Sequence, residues 1–177
     1  MNLPNSLALA RIAAAPIIFL LLVNRDIFGA THATWLDYFA GLLFVFAAIT
    51  DFFDGMIARL FNQATKLGSI LDPLADKLLM LSAFLGLMVL GRANAWAVFI
   101  ILGREFFITG LRVVIAAEGK TVGASLLGKW KTGAQIGACI ALIVDWFAYL
   151  GDILLWIAVA MTLWSGIEYV RDYARQQ

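Results

Sequence analysis

Four aspartates in the first half of the chain are spaced so that they could share one cation. Asp51 and Asp54 are three residues apart, and Asp72 and Asp76 are four residues apart. Both spacings place two side chains on the same face of an α-helix. A short connection makes the two helices antiparallel neighbours, so the four carboxylates can meet in one pocket. Because close carboxylates repel one another unless protons or cations neutralise them, the pattern predicts one or two divalent ions there.

The ligand set of this acidic cluster contains only oxygen. Oxygen ligands suit Mg²⁺, Mn²⁺ or Ca²⁺, whereas Zn²⁺ normally recruits histidine or cysteine, and His32 and Cys139 both lie elsewhere in the sequence. We expect Mg²⁺ or Mn²⁺. The alternative is a belt of charge at the membrane interface, in which the acids pair with Arg59, Lys66 and Lys77. A belt does not need four acids at helical spacing.

The elements that carry these acids are apolar. The chain has 177 residues, of which 63% are hydrophobic and 14% are charged. A soluble domain has nearer half apolar and a quarter charged residues, so the bilayer is the expected solvent. The net charge of +1 is not the strongly basic charge that is typical of proteins that bind nucleic acid. We therefore expect one domain, residues 1–177, that is an all-α polytopic membrane protein.

Six windows have the length and apolar character of transmembrane helices. They cover residues 3–23, 35–58, 70–90, 93–116, 132–150 and 153–167, with tight turns near Gly91 and Gly151. If both termini lie on one side, the other side carries only two basic residues, Arg25 and Arg92. The first side then carries Arg59, Lys66, Arg112, Lys120, Lys129, Lys131, Arg171 and Arg175. This asymmetry predicts cytoplasmic termini. No Arg-rich presequence opens the chain, which favours the inner (plasma) membrane of a bacterium, with the active site facing the cytoplasm.

The segment from Asp51 to Asp76 resembles the signature of the CDP-alcohol phosphotransferases, Asp-x2-Asp-Gly-x2-Ala-Arg-x8-Gly-x3-Asp-x3-Asp. All eight fixed positions, spread over 26 residues, are filled here by Asp51, Asp54, Gly55, Ala58, Arg59, Gly68, Asp72 and Asp76. Six spans with the signature on the second and third also agree with the architecture of that family.

The resemblance implies a metal-dependent transfer of a phospho-alcohol group from a CDP-linked donor to a hydroxyl, with release of CMP. It implies that Asp51, Asp54 and Asp72 bind metal, and that Asp76 is the general base for the acceptor hydroxyl and also contacts metal. The implied donor site comprises Asp51, Asp54, Gly55, Ala58, Arg59, Gly68 and Asp72. Further candidate donor contacts are Asn5, Arg11, Thr65 and Lys66. For Arg11, a pairing with an aspartate is an equal alternative.

Two other segments bear on the acceptor. Residues 2–11 resemble the opening common to the phosphatidylglycerophosphate synthases of that family, and residues 103–112 resemble their Arg-Glu-x5-Leu-Arg segment. Arg104 and Arg112 are two helical turns apart, so both can line one wall of a cavity. Arginine suits phosphate oxygens, and Lys129 and Lys131 can add charge. We expect CDP-diacylglycerol as donor and sn-glycerol 3-phosphate as acceptor.

Other interpretations of these basic residues remain open. Arg104 could pair internally with Glu105, while Arg112, Lys129 and Lys131 anchor helix ends or meet anionic headgroups. The same chemistry could also serve inositol phosphate, serine or phosphatidylglycerol. A neutral acceptor such as serine would make less use of the cations.

A cation transporter is the rival from another class, because acids in a helix bundle can line an ion path. The acids lie on one side only, however, and the opposite half of spans two and three is nearly all Phe, Leu, Ala and Met. A stripe of small residues, Gly133, Gly137 and Ala141, favours close helix packing within one chain or across a homodimer.

Overall fold

The computed structural model is built from α-helices in the part of the chain that it describes. That part is residues 3–28, 30–60, 68–117, 126–145 and 148–175, without the side chains of 3–4, 26, 28, 30–32, 51–60, 69–70, 126–127, 129 and 148. The α-helices of these ranges are α1 (Leu3–Val23), α2 (Ala30–Leu60), α3 (Gly68–Val89), α4 (Ala95–Ala117), α5 (Leu126–Val144) and α6 (Ala148–Ala174). A short 3₁₀ helix, Arg25–Phe28, joins α1 to α2. The prediction of an all-α chain with six helices is confirmed.

The helices pack as a bundle around an apolar core. α1 packs against α2 and α3, α5 packs against α6 and α2, and α4 packs against α6. Large core side chains such as Phe44 and Phe84 are fully buried. On the outside, Phe39, Phe46 and Phe99 are 61%, 67% and 68% exposed. Large apolar side chains that point outward along several helices are typical of a protein whose surface meets lipid.

Three described segments are long and apolar enough to cross a membrane, namely Asn5–Val23, Ala33–Thr50 and Tyr149–Ala174. A shorter apolar helix covers Trp130–Val144. α3 and α4 are not among these segments, and each contains three charged residues. These charged residues include Asp76 and Glu105, which belong to the site described below.

The predicted turn near Gly151 is wrong. α5 ends at Val144 and is followed by Asp145, whose φ of 61° is left-handed, and α6 already begins at Ala148. Gly151 is buried within α6, where an added Cβ would lie 2.6 Å from Leu142 Cδ2. The glycine therefore permits a close approach of α5 and α6 and does not form a turn. The predicted start of the fifth helix at residue 132 is also wrong, because α5 begins at Leu126 and carries its lysines within the helix.

The α3–α4 turn holds the end of the bundle that lies away from Asp76. Gly91, with φ of 69°, ends α3 in a Schellman turn, in which Arg92 N donates to Leu87 O at 2.9 Å. The Asn94 side chain caps α4 by accepting from Trp96 N at 2.9 Å. These local signals explain why α4 begins at Ala95, two residues later than predicted.

Arg92 connects three elements at this far end. Its guanidinium donates to Asp37 Oδ2 on α2 at 2.9 Å and to the Ile143 carbonyl of α5 at 2.8 Å, and it pairs with Asp145 at 3.0 Å. Arg25 also reaches Asp37 Oδ2 at 2.9 Å. Because Asp37 is buried, this cluster supplies it with two cationic partners and fixes the ends of α2 and α5 against the turn.

Candidate active site

A polar network joins α4, α5 and α6 inside the bundle. Glu105 Oε1 on α4 accepts from Lys131 Nζ and from Gln135 Nε2, the latter at 3.4 Å, and lies 3.5 Å from Arg104 Nη1. Lys131 and Gln135, both on α5, are only 5% and 3% exposed. Lys131 was expected at the end of a span, where lysines commonly flank the membrane. It is instead a buried helical residue paired with an acid.

Asp76 of α3 lies beside the same network. Asp76, Glu105 and Gln135 line one cavity of about 20 Å³, which also touches Lys77, Met80, Leu102, Phe106 and Thr132. A buried water needs about 10–15 Å³ by the same measure, so the cavity has room for a single water. Lys77, Glu105, Arg11 and Lys131 lie close enough to Asp76 to interact with it electrostatically. The structure therefore brings the proposed base and the acceptor-site candidate Lys131 to one place.

The cavity lies well inside the bundle. Asp76 is eight residues from the start of α3, Gln135 nine from the start of α5, and Glu105 twelve from the end of α4. At 1.5 Å per residue these distances are about 12–18 Å, measured from the same end of the bundle. Buried charges at that depth are costly in an apolar medium, and the pairing of Lys131 and Arg104 with Glu105 offsets part of this cost.

Arg11 and Asp72 form an ion pair between α1 and α3. Arg11 is 1% exposed, and its Nη2 lies 3.6 Å from Asp72 Oδ1, while the Asp72 side chain is 41% exposed. Of the two roles left open for Arg11, the structure shows the pairing with an aspartate. Asn5, one of the candidate donor contacts, is buried on the same helix as Arg11.

Part of the predicted site lies outside the described residues. The last turns of α2 contain Asp51, Asp54, Gly55, Ala58 and Arg59, whose side chains are outside the described part of the chain. Thr65, Lys66 and the side chain of Lys129 also lie outside the described part of the chain. Gly68 is described, and it is buried at the start of α3. The convergence of all four aspartates therefore stays a prediction.

The two arginines of the predicted acceptor wall have different surroundings. Arg104 points inward, where its Nη2 donates to Ser165 Oγ of α6 at 2.9 Å. Arg112 is exposed and stacks over the ring of Tyr169 at 5.3 Å. Sequence reasoning missed Ser165 and its neighbour Thr162. The only signal for them was a pair of polar residues at helical spacing in an otherwise apolar span.

Comparison with known proteins decides the family. Residues 1–164 match the CDP-alcohol phosphatidyltransferase family. The chain belongs to this family. Its predicted resemblance to these enzymes is thereby confirmed, and the cation transporter considered as an alternative is not supported.

Several bacterial members of the family are similar to the chain over nearly its full length. Each of three such relatives is named CDP-diacylglycerol–glycerol-3-phosphate 3-phosphatidyltransferase. The protein of Bacillus subtilis (strain 168) is 42% identical, over 95% of this chain and 93% of its own. Those of Rickettsia bellii (strain RML369-C) and Shigella flexneri serotype 5b (strain 8401) are 39% and 36% identical, over 96% of this chain and 94% and 93% of theirs.

Proposed function

We propose that this transferase moves the phosphatidyl group of CDP-diacylglycerol to sn-glycerol 3-phosphate, forming phosphatidylglycerol phosphate and CMP. The observation that carries the proposal is the proximity of Asp76 to the Glu105–Lys131 pair, since Asp76 and Glu105 line one cavity and Glu105 accepts from Lys131. It places a base for a hydroxyl beside a cation suited to a phosphate. The relatives named for this reaction match nearly the whole chain.

The proposal includes the placement of the enzyme in the membrane. All six helices cross the inner membrane of a bacterium, both termini are cytoplasmic, and the site opens to the cytoplasm. The positive residues concentrate at one end of the bundle. Measured from that end by the helical rise, the cavity is about 12–18 Å deep. The acyl chains of the donor then stay in the bilayer while the soluble acceptor arrives from the water.

The acceptor phosphate is held by basic side chains. Arg104, Lys131 and Lys77, set against Glu105 and Asp76, leave one net positive charge within the bundle, and Arg112 adds another on α4. A phosphate on the acceptor would complement this excess charge, because cations with few solvent contacts bind phosphate oxygens strongly. A neutral alcohol such as serine would leave the excess uncompensated.

Mg²⁺ or Mn²⁺ would be held by Asp51, Asp54 and Asp72, with Asp76 at the edge of the ligand set. Asp72 fits this role, since its Oδ1 is buried and, among the described residues, accepts no hydrogen bond and has only the longer ion pair with Arg11 Nη2 at 3.6 Å. A divalent ion there would neutralise the pyrophosphate oxygens of the donor and the charge that develops on the departing CMP.

The chain's own residues then supply proton transfer and orientation. The acceptor hydroxyl oxygen forms a bond to the phosphatidyl phosphorus, and the bond from that phosphorus to the CMP oxygen breaks. CMP leaves with the electron pair, and the hydroxyl proton passes to Asp76. Lys131 and Arg104 fix the acceptor phosphate so that the hydroxyl faces Asp76, which lowers the entropy cost of the encounter.

An acceptor panel tests the proposed function. Purified protein in detergent, with Mg²⁺ and CDP-diacylglycerol, is given sn-glycerol 3-phosphate, inositol phosphate, serine or phosphatidylglycerol in separate reactions, and CMP is quantified. We expect CMP and phosphatidylglycerol phosphate with sn-glycerol 3-phosphate. Release of CMP with serine but not with sn-glycerol 3-phosphate would overturn the acceptor assignment.

A further inference from the structure

α6 carries none of the signature residues, yet it contributes two buried hydroxyl groups to the polar network. Thr162 and Ser165 are 0% and 3% exposed. Their three-residue spacing places both on one face of the helix, toward α4 and α5. Hydroxyls buried in an apolar span need hydrogen-bond partners, and these two find them on residues of the proposed acceptor site.

Ser165 holds Arg104. Its Oγ donates to the Thr162 carbonyl at 3.2 Å, which uses its single proton, so the same oxygen accepts from Arg104 Nη2 at 2.9 Å. The next residue, Gly166, makes room for the arginine stem. A Cβ there would lie 3.2 Å from Arg104 Nε and 3.3 Å from Cγ. The guanidinium thus has a defined direction set by α6.

Thr162 holds Gln135. Gln135 Nε2 donates to Thr162 Oγ1 at 3.1 Å and to Glu105 Oε1 at 3.4 Å. An ionised carboxylate can only accept, so the nitrogen end of the amide must face Glu105. Both hydrogens of that nitrogen are then used, and the amide is fixed between α4 and α6.

We propose that Thr162 and Ser165 are positioning residues for the acceptor phosphate. They orient Gln135 and Arg104, which in turn direct Glu105 and its partner Lys131 toward the cavity. Gln135 and Glu105 line the cavity, whereas neither α6 hydroxyl does, so the two act through other residues and not on substrate. This inference rests on the proposed function, and it assigns part of acceptor recognition to α6.

Thr162→Val and Ser165→Ala test the inference, because each removes a hydroxyl with little change in shape. We expect each to raise the KM for sn-glycerol 3-phosphate by about three- to tenfold, the effect of one hydrogen bond. The KM for CDP-diacylglycerol should stay within about twofold of wild type. Thr162→Ser keeps the hydroxyl and should restore the acceptor KM.

Thr109→Val is the matched control. The Thr109 hydroxyl donates to the main-chain carbonyl of Glu105 at 2.7 Å, one turn back in its own helix, and holds no side chain of the network. We expect both KM values of this variant to match wild type. Melting temperatures of all the variants in detergent report folding separately from substrate binding.

Three results would overturn the inference. The first is an equal rise in both KM values of the well-folded Thr162→Val and Ser165→Ala proteins, and the second is a wild-type acceptor KM in those proteins. The third is a Thr162→Ser variant as impaired as Thr162→Val. The proposed function fails separately, if the wild type releases CMP only with another alcohol. The KM for that alcohol, measured in the same variants, then tests the positioning role.

Discussion

Replacing Lys131 with methionine tests the cation at the centre of the network. Methionine has a similar length and no charge, so the change removes the donor to Glu105 Oε1 with little change in volume. The remaining donors to that oxygen, Gln135 and Arg104, are long at 3.4 and 3.5 Å. Without Lys131, only Arg104 and Glu105 of the three charged groups remain, and their charges sum to zero.

The expected loss of activity is that of the hydrogen bond by which Lys131 holds the acceptor phosphate in the proposed function. A hydrogen bond to a charged group contributes about 1.5–3 kcal/mol, which is roughly a 10- to 150-fold fall in kcat/KM for sn-glycerol 3-phosphate. Removing one partner of a fully buried pair costs about 3–5 kcal/mol of folding free energy. Because the Glu105 side chain is 20% exposed and keeps two donors, we expect about 1–2 kcal/mol here.

The assay measures CMP release while sn-glycerol 3-phosphate is varied at saturating CDP-diacylglycerol, with unfolding followed in mixed micelles. Arg175→Met, at the exposed end of α6, removes one positive charge outside the network and should match wild type. The Glu105→Gln, Lys131→Met double variant should lose about 1 kcal/mol less stability than the sum of the single variants, because the two residues interact directly. A folded Lys131→Met enzyme with wild-type kcat/KM would refute the role of this lysine.

Three further predictions concern packing, the far end of the bundle and the base. Gly151→Ala should lower the unfolding free energy by about 1–3 kcal/mol, because its Cβ would lie 2.6 Å from Leu142 Cδ2; Gly137→Ala, with a nearest contact of 3.7 Å, should melt like wild type. Arg92→Ala should lower the unfolding free energy by about 3 kcal/mol, because it removes one of the two cations beside buried Asp37. An unchanged melting temperature would contradict this prediction. The kcat measured below the melting range should equal that of wild type. Asp76→Asn should lower kcat by about 10²–10⁴-fold, the usual contribution of a general base, with an unchanged KM for CDP-diacylglycerol; full activity in CMP release would exclude Asp76 as the base.

The family could be predicted from sequence because the residues of its signature lie close together along the chain. Asp72 and Asp76 share one helix with a fixed spacing, and Arg104 and Glu105 are adjacent. Helical periodicity and a known pattern are sufficient for such groups. The number of helices followed in the same way from apolar windows.

Contacts between distant segments could not be predicted. Lys131 looked like a membrane-flanking lysine because its partner, Glu105, lies 26 residues away on another helix. Thr162 and Ser165 contact residues 27 and 61 positions away, and nothing in the pattern of α6 identifies those partners. Gly151 resembled a turn residue, since only the packing of Leu142 against it reveals its role.

A structure of the Asp76→Asn protein with Mn²⁺, CDP-diacylglycerol and sn-glycerol 3-phosphate bound tests the proposed site most directly. We expect the acceptor phosphate in contact with Lys131 and Arg104, its hydroxyl facing residue 76, and Mn²⁺ beside Asp72 on the donor pyrophosphate. An acceptor bound away from the α3–α4–α5 cavity, or Mn²⁺ bound away from Asp72, would contradict the proposed site.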